Sequence, residues 1–235
     1  MCMSLNGKHI VVTGGTGALG AAVASRFLEA GAEVHVTSFT AIPEASFALA
    51  GQPRLTVHAP VNLGDEAAVA SVYAAIPNLW ASIHVAGGFA MGALADTSLA
   101  QLDHMLTMNL RTAFLCTREA ARRMGDGGRI VNVAARPAID PTAGAGMSAY
   151  TISKAAVAAM TQVAARELHS KGIWVNAVAP SIIDTPMNRS AMPNADYDTW
   201  PKTHELAEAI YWLCSPGNTL SSGTIVPVYG KSWPG

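Results

Sequence analysis

A glycine-rich turn between an apolar strand and a helix restricts the fold of this chain more than any other feature of its sequence. The run HIVVT (residues 9–13) leads into TGGTGALG (residues 13–20), in which Gly15, Gly17 and Gly20 fit the spacing GxGxxG. Glycine lets the backbone turn sharply and lets N–H groups approach a phosphate, while the following helix N-terminus adds partial positive charge. The strand–turn–helix context predicts a dinucleotide-binding turn. The alternative is a tight turn that binds no ligand.

Strand-like and helix-like runs alternate along the rest of the chain. The predicted strands are 9–13, 33–38, 55–59, 81–86, 129–135, 174–179 and 224–230. The predicted helices are 18–30, 66–75, 99–124, 151–171 and 204–214. This alternation predicts a doubly wound parallel sheet of about seven strands with helices on both faces. With no linker or internal repeat in view, we expect one α/β domain over residues 1–235.

Two stretches without periodicity, 136–147 and 180–201, each follow the carboxyl end of a predicted strand. Both are rich in Pro, Gly, Asn and Asp, which favour irregular loops. Open parallel sheets bind their ligands at this edge. We therefore expect the second stretch, at about 181–203, to be a loop that closes over the substrate.

Composition excludes several classes of function. Half of the residues are hydrophobic and 13% are charged, which suits a large buried core. The formal net charge is −1 and no basic run occurs, so we expect no nucleic-acid partner. No signal peptide and no apolar run of membrane-spanning length is visible, so we expect a cytoplasmic protein without membrane contact.

Cysteine and histidine usage points in the same direction. Cys2, Cys116 and Cys214 form no CxxC pair, which indicates free thiols in a reducing compartment. The seven histidines show no metal-ligand spacing. We therefore expect no metal site.

The end of the second strand bears on the choice of cofactor. Dinucleotide-binding units that take NAD place an acid there to bind the adenosine ribose, but this chain has Ser38 and Thr40. An acid would repel a 2′-phosphate, whereas a hydroxyl donates a hydrogen bond to it. We therefore expect NADP(H) to be favoured, with NAD(H) as the alternative. The nearest downstream arginine is Arg54.

A second motif, YTISK, places Tyr150 and Lys154 one helical turn apart and on the same helix face. A cation beside a phenol favours the phenolate and so eases proton transfer. The motif alone is common, and its alternative reading is a solvated helix face.

Together, TGGTGALG, YTISK and VNAVAPSIIDTPM resemble, in order and spacing, the motifs of the short-chain dehydrogenase/reductase family. The resemblance covers nearly the whole chain and implies a Rossmann fold and NAD(P)(H)-dependent hydride transfer on a small molecule. It makes Tyr150 the catalytic acid/base. It also gives Lys154 the task of lowering the pKa of that tyrosine and binding the nicotinamide ribose. Asn109, in LTMNLRTAF, matches the asparagine that supports the proton relay, with a polar residue that bends the helix as the alternative. Members of the family pair through their long helices, which implies a homodimer or homotetramer.

The resemblance also assigns cofactor contacts. It places the glycine turn on the pyrophosphate, VNLGD on the adenine, HVAGGF beside the adenosine ribose and APSIIDTPM at the nicotinamide amide. The expected positions, with Ser38, are Gly14, Thr16, Gly17, Ala18, Leu19, Gly20, Asn62, Leu63, Ala86, Gly87, Gly88, Tyr150, Lys154, Pro180, Ile183 and Thr185.

Departures from the family pattern bear on the substrate. Where the family has a catalytic serine after the fifth strand, this chain has Ala134 and Ala135. Ser148 is the candidate replacement, with a plain loop or helix-cap role as the alternative. Met187 and Trp200, in the loop after the sixth strand, are expected to line the substrate pocket, with ordinary loop packing as the alternative.

Several of these departures, together with the C-terminal stretches, are similar to the dihydropteridine reductase branch of the family. A conjugated imine needs less polarisation than a ketone, because it is already activated. The missing serine therefore favours a conjugated substrate. Three hypotheses stay open: a general carbonyl or imine reductase, a dihydropteridine reductase in the strict sense, and a dinucleotide-binding regulator without catalysis.

Overall fold

The computed structural model describes residues 4–41 and 47–232; Cys2 lies outside these ranges. Its seven strands are β1 (His9–Thr13), β2 (Glu33–Thr37), β3 (Leu55–His58), β4 (Leu79–His84), β5 (Gly128–Val133), β6 (Ile173–Pro180) and β7 (Ile225–Val228). They form one parallel sheet in the order β3-β2-β1-β4-β5-β6-β7. The order reverses between β1 and β4, and such a switch point opens a crevice at the carboxyl edge. The predicted fold class is confirmed.

The helices are α1 (Ala18–Glu29), α2 (Glu66–Ala74), α3 (Leu99–Met105), α4 (Thr112–Arg123), α5 (Arg136–Ile139), α6 (Ser148–Leu168), α7 (Pro186–Ala191) and α8 (Thr203–Cys214). Side chains of α1 and α8 share one hydrophobic cluster on one face of the sheet. Side chains of α2, α4 and α6 share a second cluster on the other face. The sheet is therefore covered on both faces, as the alternation of elements predicts.

The predicted helix over 99–124 is not continuous. A π-helical turn, Leu106–Arg111, separates α3 from α4, and it contains the buried Asn109. A π turn of this kind is a single turn inserted in an α-helix, so a helical pattern over 99–124 does not reveal it. Helix α6 begins at Ser148, three residues before the predicted start, which places Tyr150 in its first turn.

The two predicted loops contain short ordered elements. Helix α5 and a 3-10 turn at Pro141–Gly144 lie in the first. Helix α7 and a 3-10 turn at Tyr197–Thr199 lie in the second. Three of these four begin at or next to a proline, and Thr185 also caps α7 with its hydroxyl, which accepts from the N–H of Asn188. Proline fixes φ near the helical value, so it starts these turns in spite of their irregular sequence.

Candidate active site

The glycine turn is shaped by close backbone contacts. Gly14 has a φ of +63°, and a Cβ on it would lie 3.0 Å from the Cα of Ala86. A Cβ on Gly15 would lie 2.5 Å from the side chain of Val36, and one on Gly20 would overlap the carbonyl oxygen of Gly14. These positions therefore require glycine for the fold itself.

Gly17 differs from its neighbours in the turn. The nearest protein atom to a Cβ on Gly17, the carbonyl oxygen of Gly14, would lie 3.5 Å away, which is an ordinary contact. Gly17 is the N-cap of α1, no side chain caps this end, and the first turn carries no acid. The amide groups of the first helical turn have no partner within the helix. An open, uncapped N-terminus of this kind suits a pyrophosphate.

The predicted adenosine contacts lie beside this turn. Ser38 follows β2 directly, but its hydroxyl donates to the carbonyl of Thr40 at 2.8 Å, and the residue is buried. The side-chain oxygen of Asn62 accepts from the N–H of Gly64 at 3.0 Å, and Leu63 is buried in the core. Arg54 precedes β3, at the opposite edge of the sheet, where it donates to the carbonyl of Leu28. The nearest downstream arginine is therefore remote from the cofactor edge.

Asn109 joins the segment after β4 to helix α6. Its side-chain oxygen accepts from the N–H of Gly88 at 2.9 Å, and its amide group donates to the carbonyl of Gly88 and to the hydroxyl of Ser153. The hydroxyl of Ser153 donates to the carbonyl of Tyr150 at 2.7 Å. A Cβ on Gly87 would lie 2.6 Å from the side-chain oxygen of Asn109. Gly87, Gly88 and Asn109 are thus packed together, next to the first turn of α6.

Tyr150 and Lys154 meet different surroundings although they share a helix face. The ammonium of Lys154 donates to the carbonyl of Val133, the last residue of β5, at 2.8 Å. Burial lowers the pKa of Lys154 to about 8 and raises the pKa of Tyr150 to about 12. Desolvation of the phenol is thus the dominant effect on Tyr150, whereas the motif predicts a lowered value. The phenol remains protonated at neutral pH.

The wall beside Tyr150 is apolar. The ring of Phe89 meets the ring of Tyr150 edge-on, with centroids 4.9 Å apart, and over half of Phe89 is exposed. Ala134 and Ala135 are buried and bring no hydroxyl group. Sequence reasoning missed Phe89, which stands directly after the predicted glycine contacts. It also missed Ser153, which lies within YTISK itself.

Ser148 is poorly placed to replace the missing serine. Ser148 and Tyr150 are two residues apart in the same α-helix, so their side chains diverge by roughly 200° around its axis. Ser148 instead lines an open groove with Leu94 and Ile152. The other nearby hydroxyl, that of Thr142, donates to Asp140 at 2.6 Å.

The loop after β6 is held by an ionic clamp. Asp184 accepts two hydrogen bonds from Arg189, at 2.6 and 2.8 Å, and one from Lys202 at 2.8 Å. These cations hold the pKa of the Asp184 carboxyl well below its usual range. Pro180 ends β6, and the carbonyl of Ile183 accepts from the Asn188 side chain. The loop is therefore ordered by pairs that a scan for catalytic motifs does not reveal.

The two predicted lining residues of this loop differ in exposure. Met187 is 81% exposed, whereas Trp200 is 6% exposed and packs against Tyr197 with ring centroids 5.0 Å apart. Trp200 therefore serves the packing of the loop, which was the alternative for this residue. Met187 has the free surface that a lining residue needs.

Metal-ligating and membrane-spanning features are missing from the described part of the chain. Residues 4–41 and 47–232 hold no group of three His, Cys, Asp or Glu side chains that could bind a metal ion. Within those ranges, none of the helices has the length and apolar character needed to cross a bilayer. Cys116 and Cys214 are free and buried.

Comparison with known proteins decides the family. The family model described as short chain dehydrogenase matches residues 8–196, most of the chain and all three motifs. The chain belongs to the short-chain dehydrogenase family. The matched order includes the glycine turn, YTISK and the segment after β6, so the resemblance inferred from the motifs is confirmed.

Individual relatives agree with this assignment. The chain is 35% identical over 159 residues to the uncharacterized oxidoreductase YohF of Escherichia coli, a match covering 63% of this chain and 62% of that protein. It is 29% identical to the dihydropteridine reductase of Dictyostelium discoideum, over 96% of both chains. The solved short-chain dehydrogenase/reductase from Serratia marcescens superposes with a TM-score of 0.85 at 29% identity, covering 97% of this chain and 98% of that one.

Proposed function

We propose that the protein is an NAD(P)H-dependent reductase of carbonyl or conjugated imine substrates, in which Tyr150 donates the proton. One observation carries this proposal. The hydrogen bonds of Asn109 to Gly88 and Ser153, and of Lys154 to Val133, bring the acid, the cation and the amide to one place at the carboxyl edge. That place adjoins the uncapped N-terminus of α1. A protein that only binds a dinucleotide has no use for such an acid and cation pair.

The residues of the glycine turn fit a nicotinamide dinucleotide. The backbone N–H groups of Ala18, Leu19 and Gly20 would hold the pyrophosphate, and the open space at Gly17 would admit it. Lys154 would hold the nicotinamide ribose, with the carbonyls and amides after β6 on the nicotinamide side. The cofactor supplies a hydride when it is bound.

NADP(H) is the favoured form within this proposal. Residues 38–41, which follow β2 directly, include no carboxylate that would repel a 2′-phosphate. The Ser38 hydroxyl, which donates to Thr40, has to rotate before it can donate to that phosphate. Equal binding of NADPH and NADH in a fluorescence titration would contradict this preference.

Three side chains of the protein have different roles in proton transfer. Tyr150, with its pKa raised by burial, holds its proton at neutral pH and can donate it to the reduced oxygen or nitrogen. Lys154 stabilises the phenolate that remains, because its ammonium lies on the same helix face. Asn109 keeps the turn of α6 and the Gly88 segment together, where the proton is restored.

The apolar wall favours a conjugated substrate. Without a hydroxyl at Ala134 or Ala135, Tyr150 is the donor that the reacting atom meets, so substrate polarisation is weaker than with two donors. The exposed ring of Phe89, beside Tyr150, offers a face for a planar substrate. The similarity to the Dictyostelium dihydropteridine reductase favours a dihydropteridine as one specific candidate.

We also propose that the chain is a single NAD(P)-binding domain and that copies of it form a homo-oligomer. Phe114 on α4, and Ile152 and Val163 on α6, are about half exposed. Apolar side chains on these long helices favour a homodimer or homotetramer. Light scattering on the purified protein measures its mass directly, and a monomer at every concentration would contradict this assembly.

Tyr150→Phe tests the proposed activity. Because it removes the proton donor and keeps the ring, turnover should fall by at least ~100-fold while cofactor affinity is unchanged. Tyr73→Phe, which also removes one phenol hydroxyl but far from the edge, is the matched control and should retain turnover. Cofactor binding by the wild type without turnover of any carbonyl, enone or dihydropterin would support the regulator hypothesis instead.

A further inference from the structure

A row of buried polar side chains crosses the sheet beneath the candidate active site. Tyr73 lies on α2, Ser82 and His84 on β4, Asn132 on β5 and Thr161 on α6, and each is at most 3% exposed. Buried polar groups are costly unless they are hydrogen-bonded.

The hydrogen bonds of the row run in one direction. The hydroxyl of Thr161 donates to the carbonyl of Val157 at 2.8 Å, so it must accept from the amide nitrogen of Asn132, at 3.0 Å. The side-chain oxygen of Asn132 then faces Nδ1 of His84, at 2.7 Å, and Nδ1 must carry the hydrogen.

The same reasoning continues through the imidazole. Since Nδ1 of His84 is protonated and the ring is neutral, Nε2 accepts, and the hydroxyl of Ser82 donates to it at 2.7 Å. The hydroxyl of Ser82 in turn accepts from the Tyr73 hydroxyl at 2.7 Å. Burial lowers the pKa of His84 to about 4, which keeps the ring neutral. The carbonyl of Val157 thus determines which group donates in each hydrogen bond of the row, from Thr161 on α6 to Tyr73 on α2.

This row ends on the helix that carries the reacting groups. Thr161 lies seven residues after Lys154, which is about two turns along α6 on the same face. Lys154 contacts the carbonyl of Val133, the residue after Asn132. Neighbouring residues of β5 therefore hold α6 at two points, one through Lys154 and one through Thr161.

We propose that the Asn132–Thr161 hydrogen bond, oriented by His84, positions α6 against β5 so that Lys154 and Tyr150 keep their places. His84 acts by fixing the Asn132 amide, since only one orientation of that amide presents its nitrogen to Thr161. These three are positioning residues, because the bonds described for them do not involve Tyr150 or Lys154. The expected effect on catalysis rests on the proposed function, whereas the hydrogen bonds of the row do not depend on that function.

The variants that test this inference separate positioning from general stability. Thr161→Val keeps the shape of the side chain and removes the bond from Asn132, whereas Thr161→Ser keeps the bond. Tyr73→Phe removes a buried hydroxyl at the far end of the same row, away from α6. We expect kcat to fall roughly tenfold or more in Thr161→Val, because small misplacements of reacting groups cost this much. Thr161→Ser and Tyr73→Phe should keep kcat, even where their stability falls.

Two measurements without substrate complete the test. Nitrogen-15 NMR of the imidazoles should find His84 as the Nδ1–H tautomer. NMR titration of Tyr150 and Lys154 should show their pKa values altered in Thr161→Val and retained in Thr161→Ser and Tyr73→Phe. An Nε2–H tautomer, or equal changes in Thr161→Val and Tyr73→Phe, would overturn the inference. If the wild type reduces no substrate but Thr161→Val still alters the titration of Tyr150 and Lys154, the positioning inference is upheld and the proposed function is contradicted.

Discussion

The glycine turn between β1 and α1 and the loop between β6 and α8 face the same edge of the sheet, yet different forces hold them. In the turn, backbone atoms around Gly14 and Gly20, and the side chain of Val36 beside Gly15, approach so closely that they leave no room for a side chain. In the loop, the carboxylate of Asp184 joins Arg189 and Lys202 near the surface. Close packing gives a rigid turn, whereas a clamp whose two cations keep 51% and 30% of their side chains exposed gives a loop that opens at a smaller cost. One half of the crevice is thus fixed and the other adjustable.

The largest expected effect comes from the fixed half. Gly20→Ala should destabilise the protein by about 3 kcal/mol, because the new methyl group overlaps the Gly14 carbonyl. Gly17→Ala, a matched change three residues earlier, should cost less than about 1 kcal/mol, since only the cap is weakened. It should nevertheless weaken cofactor binding, because the methyl group enters the open space. Urea unfolding and cofactor titration of both variants measure this difference, and equal stabilities would contradict it.

The free energy of unfolding should also depend on pH through His84, which is buried beneath the carboxyl edge of the sheet. His84 has a pKa of about 4 in the fold and 6.5 as its ordinary value, so the unfolded chain binds the extra proton between these values. Stability should be full above pH 7 and fall as the pH drops from 6.5 to 4, by about 3 kcal/mol from this residue. Unfolding of wild type and His84→Asn at pH 7.5 and 4.5 measures this, and an unchanged pH dependence in the variant would contradict it.

The smallest effect on the fold is expected in the adjustable half. Asp184→Asn removes the clamp, so the loop should be cut faster by trypsin at Arg189, and KM should rise with kcat retained. The midpoint of global unfolding should change less than in Gly20→Ala, because the clamp joins residues of one loop and the Arg189 side chain is 51% exposed. Asp198→Asn makes the same charge change in the same loop outside the clamp and serves as control. Equal trypsin sensitivity of the two variants would contradict a role for the clamp.

What the sequence could predict differs between the glycine turn and the loop after β6. The glycine turn, the alternation of strands and helices, and YTISK depend on neighbours within a few residues, so their patterns predict the structure well. The Asp184 clamp joins residues 5 and 18 positions apart. The row through His84 joins partners 48 and 29 positions apart. The clamp depends on the path of the loop, and the row depends on which strands become neighbours; no local pattern records either of these.

Burial was the other quantity that local patterns could not give. The spacing of Tyr150 and Lys154 predicts a lowered tyrosine pKa, but it does not tell how much solvent the phenol loses. Likewise, Met187 and Trp200 are both apolar and lie in one loop, yet one is exposed and the other packs inside it. Residue type and spacing predict the inventory of a site, while exposure determines which members are free to act.

Because of the π-helical turn at Leu106–Arg111, the number of residues between α3 and α4 determines where Asn109 and the buried face of α4 point. Each residue of a helix rotates the chain after it by about 100°. Deleting one residue here would restore a regular α-helix and swing Asn109 away from Gly88, or else turn the buried face of α4 outward. A single codon lost in this turn would thus do more harm than most substitutions around it. Natural length variation in the chain is expected to spare this turn and to collect in loops such as 47–54.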